Sequence, residues 1–158
     1  KRKVAVVTGA GSGIGAEVSR LLYNKDYNIA LIGKSEKNVK KVSSEIDKTQ
    51  RNVSYFACNV ANENSLIEVR QKIIKNWNNI DILITCAAAP GFSEKMEKTS
   101  FNDWRSVMDT DLDGVFLSCK VFGHEMLKNR WGRIVNLTSF HNIATYPERV
   151  VYNAAKRR

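Results

Sequence analysis

Four glycines in eight residues, Thr8-Gly9-Ala10-Gly11-Ser12-Gly13-Ile14-Gly15, stand between a β-branched apolar run and a helical pattern. That placement constrains the fold more than any other feature of the chain. A glycine cluster inside a loop is an ordinary turn. One that ends a strand and opens a helix lets the backbone turn tightly and approach a ligand closely, while the helix N-terminus offers free N–H groups and the positive end of its dipole. Such a junction fits a pyrophosphate when the next strand follows at β-α-β spacing, as the run through Leu31 does here. The residues assigned to the cradle are Gly9, Gly11, Ser12, Gly13, Ile14 and Gly15.

The rest of the chain continues the alternation. Residues 4–7, 28–32, 53–56, 80–84 and 133–137 read as strands. Most of them are nearly continuous in apolar residues, as parallel strands covered on both faces require. Residues 14–24, 36–48, 65–77 and a long stretch over 101–128 read as helices, the last opened by the capping-box-like Ser100-Phe101-Asn102-Asp103. Strands that alternate with helices predict right-handed crossovers and an α/β, doubly wound parallel sheet of the Rossmann type. No linker or low-complexity segment divides the 158 residues, so residues 1–158 are expected to form a single domain. The run from Val150 to Lys156 looks like the start of a longer helix. The sheet is therefore expected to lack its last strand or strands and the helices that go with them, the domain being incomplete at its C-terminus.

Charge and cysteines exclude several function classes. The net charge of +9 comes from lysines and arginines interspersed with acids, without an aromatic-rich basic stripe. That pattern fits solvated helix faces and an anionic small ligand better than nucleic acid. No apolar run approaches the roughly 20 residues of a membrane span. Lys1-Arg2-Lys3 leads straight into a strand-like run, so no signal peptide is expected. Cys58, Cys86 and Cys119 are odd in number and far apart. That fits neither a disulfide framework nor a metal site and suits a reducing, cytoplasmic setting.

Two further segments carry chemistry. An acid at the end of the second strand would bind the 2′-hydroxyl of an NAD ribose and repel a 2′-phosphate. Here Gly33 is followed by Lys34 and Ser35, a cation and a hydroxyl that suit the phosphate, so NADP is preferred over NAD. Tyr152 and Lys156 stand four apart on one helix face. An ammonium beside a phenol favours the phenolate, which suits a tyrosine that exchanges a proton with a substrate oxygen during hydride transfer. Ser139 lies just past the fifth strand, where its hydroxyl can hold a reacting carbonyl.

With these motifs in this order, the sequence resembles the short-chain dehydrogenase/reductase family over its whole length. The resemblance rests on Thr8-Gly9-x-x-x-Gly13-x-Gly15, the Gly132-to-Ser139 segment and Tyr152-x-x-x-Lys156. It implies that Tyr152 donates or accepts the proton, that Lys156 binds the nicotinamide ribose and tunes Tyr152, and that Ser139 orients the substrate. It also implies an NAD(P) cofactor, a small carbonyl or alcohol substrate and a homo-oligomer. The leading expectation is a ketone- or 3-oxoacyl-reductase-like enzyme. The alternatives are an NAD-linked sugar or polyol dehydrogenase, and a non-catalytic cofactor-binding relative or inactive truncated form.

Three departures from the family's pattern accompany the match. Thr85-Cys86-Ala87-Ala88 replaces the usual Asn-Asn-Ala-Gly, leaving Cys86, Ala87 and Ala88 to line the cofactor through backbone and small side chains. Asn59, next to Val60, stands where an acid near the adenine usually ends the third strand. Asp111 replaces the asparagine that relays protons through water to the lysine. An aspartate can also hold a water, so Asp111→Asn is expected to be tolerated, and its charge falls near Lys156. The pair Asp109-x-Asp111 resembles some dienoyl-CoA reductases and sugar dehydrogenases, although the former generally lack the tyrosine retained here. His124 reads as a surface or packing residue, whereas His141 falls where a substrate pocket would lie. Trp77, Trp104 and Trp131 read as packing.

Overall fold

The computed structural model describes residues 2–49, 51–89 and 93–156, and of Asn142 the backbone alone. Among these residues five strands form one parallel sheet: β1 (Val4–Thr8), β2 (Asn28–Gly33), β3 (Val53–Ala57), β4 (Ile82–Thr85) and β5 (Arg133–Asn136), in the order β3-β2-β1-β4-β5. Helices α1 (Gly13–Tyr23), α2 (Glu36–Ile46) and α3 (Glu63–Trp77) alternate with the first four strands. Between β4 and β5 run α4 (Phe101–Met108), a π-helical turn over Asp109–Asp113, and α5 (Gly114–Lys128). A short 3-10 turn, Phe140–Asn142, precedes α6 (Val150–Lys156). The expected doubly wound Rossmann arrangement is present.

The winding follows from the period of the strands, whose successive side chains face opposite ways. Val4 and Val6 of β1 and Ala30 and Ile32 of β2 pack against α3 and α5, while Ala5, Val7, Ile29 and Leu31 pack against α1 and α2. Both faces being covered, β1 is buried along its whole length. The helices answer with stripes at helical spacing, Leu66, Val69 and Ile73 on α3 and Val121, Phe122 and Met126 on α5. Glu125 of α5, largely buried, is paired with Arg70 of α3 at 3.7 Å and with Lys128 at 3.3 Å, which clasps the two helices at one end.

The differences from the sequence reading have local causes. Ile80 is buried but precedes β4: the Asn79 carboxamide oxygen takes its N–H at 2.8 Å, and the ladder opens one residue later with Asp81 N donating to Val4 O at 2.9 Å. Strand β5 is apolar like the others, yet it lies at the sheet edge with Ile134 42% and Val135 54% exposed. Trp131 lies at the surface under two cations. The Lys3 ammonium stands 3.7 Å from its ring centroid, and the Arg133 guanidinium covers it from further out. Trp77 and Trp104 pack as expected.

Among the described residues Phe122 is the largest fully buried side chain. Phe122→Ala should cost about 3–5 kcal/mol of stability. Leu127 on the same helix is 80% exposed. Leu127→Ala should therefore change stability by no more than about 0.5 kcal/mol. Urea denaturation of the two variants beside the parent chain checks this; equal losses would contradict the core assigned here.

Candidate active site

All strands being parallel, their C-terminal ends line one edge of the sheet. The residues after those ends, Gly9 to Gly15, Lys34, Asn59, Cys86 to Ala88 and Ser139, therefore collect there. The winding reverses between β1 and β4, and open α/β sheets form a crevice at that point. Two cavities flank it and share Gly9 and Ala88. One, of about 520 Å³, is lined by Ser12, Gly13, Ile14, Gly15, Cys86, Leu137, Thr138, Ser139, Tyr152 and Lys156 besides the shared pair. The other, of about 410 Å³, includes Lys34, Asn59, Val60, Ala87, Ser106 and Thr110.

The glycine loop is built by close approach. Gly9 has φ +66°, and a Cβ there would fall 2.6 Å from the Ala87 nitrogen, so β1 turns directly against the end of β4. A Cβ on Gly15 would meet the Gly9 carbonyl oxygen at 2.4 Å, so α1 leaves the sheet with its first turn pressed on the loop. Ser12 occupies the N-cap of α1, but its side chain makes no capping bond. That leaves first-turn N–H groups and the hydroxyl for a ligand. Side chains tie the strand ends together. Thr8 Oγ1 accepts from Ala87 N at 3.3 Å, and Thr85 Oγ1 donates to Asn136 Oδ1 at 2.9 Å.

Asp111 and Lys156 form a buried ion pair, Nζ to Oδ2 3.1 Å, with side-chain exposures of 0% and 4%. The other carboxylate oxygen of Asp111 accepts from Ala89 N at 2.6 Å. One side chain in the π-helical turn thus binds both α6 and the loop after β4. Asp109 and Asp113 on the same turn pair outward with Arg105. The Lys156 ammonium also lies 5.6 Å from the Tyr152 ring centroid. The sequence placed a charge near Lys156, and the structure makes it the direct counter-ion. The expectation that asparagine is tolerated at 111 is therefore a test of this pair.

The remaining site residues sit as follows. Gly11 and Ser35 line neither cavity. Gly11 faces α2, where its Cβ would lie 3.0 Å from Asn38 Cβ. Ser35 caps α2 by accepting from Asn38 N at 3.4 Å. Lys34 is exposed at the rim beside that cap. Asn59 Oδ1 accepts from Ala61 N at 3.2 Å, so the oxygen expected to face a ligand also closes a local turn. Burial pushes the Cys86 thiol up while the Lys156 ammonium pulls it down. Burial likewise pushes Cys58 up to about 11, with Glu68 adding to the effect. Neither is poised as a nucleophile. Among the described residues no group of acids, histidines and cysteines could hold a metal, and no helix is long and apolar enough to cross a membrane. His124 is exposed. Thr138, Ser106 and Thr110 were missed. Ser106 and Thr110 stand at i, i+4 on the helical stretch, but only the packing of α4 shows that their face meets the cavity.

Removing one member of a buried pair strands the other charge. Asp111→Asn should cost about 3–5 kcal/mol, and Lys156→Met a similar amount, while the double variant should lose less than the sum. Denaturant midpoints of the four proteins check this, and strictly additive losses would show that the two side chains do not act as a pair.

The comparisons with known proteins come to the same fold. The D-threitol dehydrogenase of Mycolicibacterium smegmatis is 31% identical over 154 residues, covering 98% of this chain and 59% of that protein. The 3-oxoacyl-(acyl-carrier-protein) reductase of Chlamydia muridarum is 30% identical over 155 residues, covering 98% and 62%. Actinorhodin polyketide ketoreductase, as its F189W variant crystallised with NADPH, superposes with a TM-score of 0.93 at 26% identity, over 99% of this chain and 60% of that one. The chain thus spans about three-fifths of the length of these relatives. The family model described as short chain dehydrogenase matches residues 3–157, and the chain belongs to that family.

Proposed function

We propose that the chain is the cofactor-binding and catalytic part of an oxidoreductase that transfers a hydride between NADP(H) and a carbonyl or alcohol carbon. The observation that carries this reading is the cavity of about 520 Å³, which brings Ser139, Tyr152 and Lys156 onto one space with Ser12 to Gly15. A dinucleotide fits the backbone there: the α1 N-terminus lacks a side-chain cap, and Gly9 and Gly15 keep Cβ atoms out of the loop. When bound, the cofactor supplies or takes the hydride. The chain does the rest. First-turn N–H groups at Gly13 and Ile14, with Gly9, Ser12 and Gly15, hold the pyrophosphate. Asn59, Val60, Ala87 and Ala88 would hold the adenosine half, Cys86 would line the nicotinamide end, and Lys156 would bind the ribose there. Ser139 holds the substrate oxygen and Tyr152 gives or takes its proton. Asp111 keeps Lys156 in place.

NADP is the preferred form because Lys34 stands at the rim next to the N-terminus of α2, with no acid before Glu36. Crystals of the ketoreductase relative contain NADPH. The substrate is a small molecule, the setting cytoplasmic, and nucleic acid no partner. Phe101 on α4 is 74% exposed and Phe116 on α5 is 63% exposed. They offer apolar surface that a second copy would cover in a homo-oligomer. A polyol substrate is the second reading, favoured by the likeness to threitol dehydrogenase.

Two experiments on the full-length protein test this. NADPH should bind more tightly than NADH, and Lys34→Asp should reverse or erase the preference; fluorescence titration giving tighter NADH binding in the unmutated protein would refute the cofactor assignment. Tyr152→Phe keeps the ring and removes the transferable proton, so turnover should fall about 100- to 10,000-fold with little change in cofactor affinity. A panel of ketones, 3-oxoacyl thioesters and sugars, followed at the nicotinamide absorbance, supplies the assay. Retention of most of the rate would rule out Tyr152 as the acid/base, and good cofactor binding without turnover of any substrate would favour a non-catalytic relative.

A further inference from the structure

His141 packs on Tyr152, which lines the cavity, and the proposed mechanism leaves it without a task. It lies in the 3-10 turn that Ser139 caps, Ser139 Oγ accepting from His141 N at 3.3 Å. Its ring stands edge-on to Tyr152 with centroids 5.0 Å apart, and tilted against Tyr146 at 5.1 Å. On one side Nδ1 lies 2.6 Å from Asn153 Oδ1. The Asn153 amide nitrogen donates to the Tyr146 carbonyl at 3.1 Å, and a carbonyl can only accept. That bond turns the amide oxygen toward the imidazole, so Nδ1 must be the protonated nitrogen. In the neutral ring Nε2 then carries a lone pair, and no bond from a described residue reaches it. These contacts hold the imidazole in one orientation and one tautomer, and among the described residues nothing bonds its acceptor nitrogen.

We propose that His141 is a specificity-determining residue that accepts a hydrogen bond from a substrate hydroxyl close to the reacting carbon, making hydroxy-ketones and vicinal diols the substrate class. The inference rests on the reading that Ser139 and Tyr152 bracket the reacting oxygen. His141 is two residues from one and in ring contact with the other, which sets its imidazole beside the place a group on a neighbouring carbon would take. A site that orients an acceptor for a hydroxyl discriminates against the analogue that lacks it, because the acceptor is then left desolvated and unpaired. Simple ketones and 3-oxoacyl thioesters carry no donor at that place.

The test uses matched probes in the full-length protein. Butan-2-one and 3-hydroxybutan-2-one differ by one hydroxyl, and kcat/KM should favour the second by about 10- to 100-fold. His141→Phe keeps a ring against Tyr146 and Tyr152 and should bring that ratio to within about 3-fold of one. Asn153→Leu, which frees the tautomer, should lower it as well. A second arm needs no turnover: ¹⁵N NMR of the imidazole should show the proton on Nδ1. Butane-2,3-diol added to the NADP⁺-bound protein should then shift Nε2, and butan-2-ol should not. A proton on Nε2, equal response to the two alcohols, a ratio that survives His141→Phe, or a preference for a 2-oxo acid over the hydroxy-ketone would each overturn the proposal. A selective shift by the diol without turnover of any ketone would uphold it and refute the catalytic reading instead.

Discussion

A carboxylate and an ammonium buried together, Asp111 with Lys156, tie down the end of the molecule that carries the candidate active site. Neither group survives in the interior alone, because an unpaired charge there costs several kcal/mol. The pair therefore constrains everything it touches. Asp111 sits on the turn between α4 and α5, Lys156 on α6, and the second oxygen of Asp111 takes the N–H of Ala89 after β4. Three segments that share no strand are held in register by one side chain. The hydrophobic contact beside it is thin, with Val107, Val151 and Ala155 buried between α4 and α6. The ion pair adds a directed contact to that packing, one helical turn from Tyr152.

The π-helical turn makes this burial possible. Wide turns of this kind are rare and concentrate at functional sites. Over Asp109–Asp113 the chain carries three aspartates, and their partners divide by face. Asp109 and Asp113 lie with Arg105 at i, i+4 and i+8 and pair with it outside. Asp111 points the other way and is fully buried. Gly114 follows because its backbone runs against Val60, where a Cβ would come within 2.6 Å of that side chain. An extra side chain there would push the turn, and Asp111 with it, off the sheet edge.

Much of this was legible in the sequence, for identifiable reasons. Parallel strands buried on both faces give continuous apolar runs, so β1 to β4 could be placed to within two residues, and the glycine loop could be placed because a strand end and a helix start bracket it. Ser139, Tyr152 and Lys156 were legible as a spacing and do line one cavity. What was not legible depends on side chains choosing between neighbours. The hydroxyl of Ser35 and the amide oxygen of Asn59 read equally well as ligand contacts, and both are engaged by local backbone N–H groups at a helix cap and a turn. The stretch over residues 101–128 has a helical period throughout, so the π-turn inside it left no trace.

The departures at Thr85 and Cys86 show how the crevice tolerates an unusual sequence. Where the two cavities meet, the residues are Gly9 and Ala88, which carry one side-chain carbon between them. An extended ligand crossing there needs free space and backbone, not a particular functional group. What the strand ends need is mutual alignment, and hydroxyls can supply it. Thr8 fastens the loop after β4 to β1, and Thr85 fastens β4 to Asn136 at the end of β5. Asn136 thereby holds the base of the segment that carries Ser139. Cys86 adds a small thiol kept protonated by burial, which neither crowds the crevice nor brings a charge to it. The same physical demands, alignment of the strand ends and an open crossing, are met here by a threonine and a cysteine.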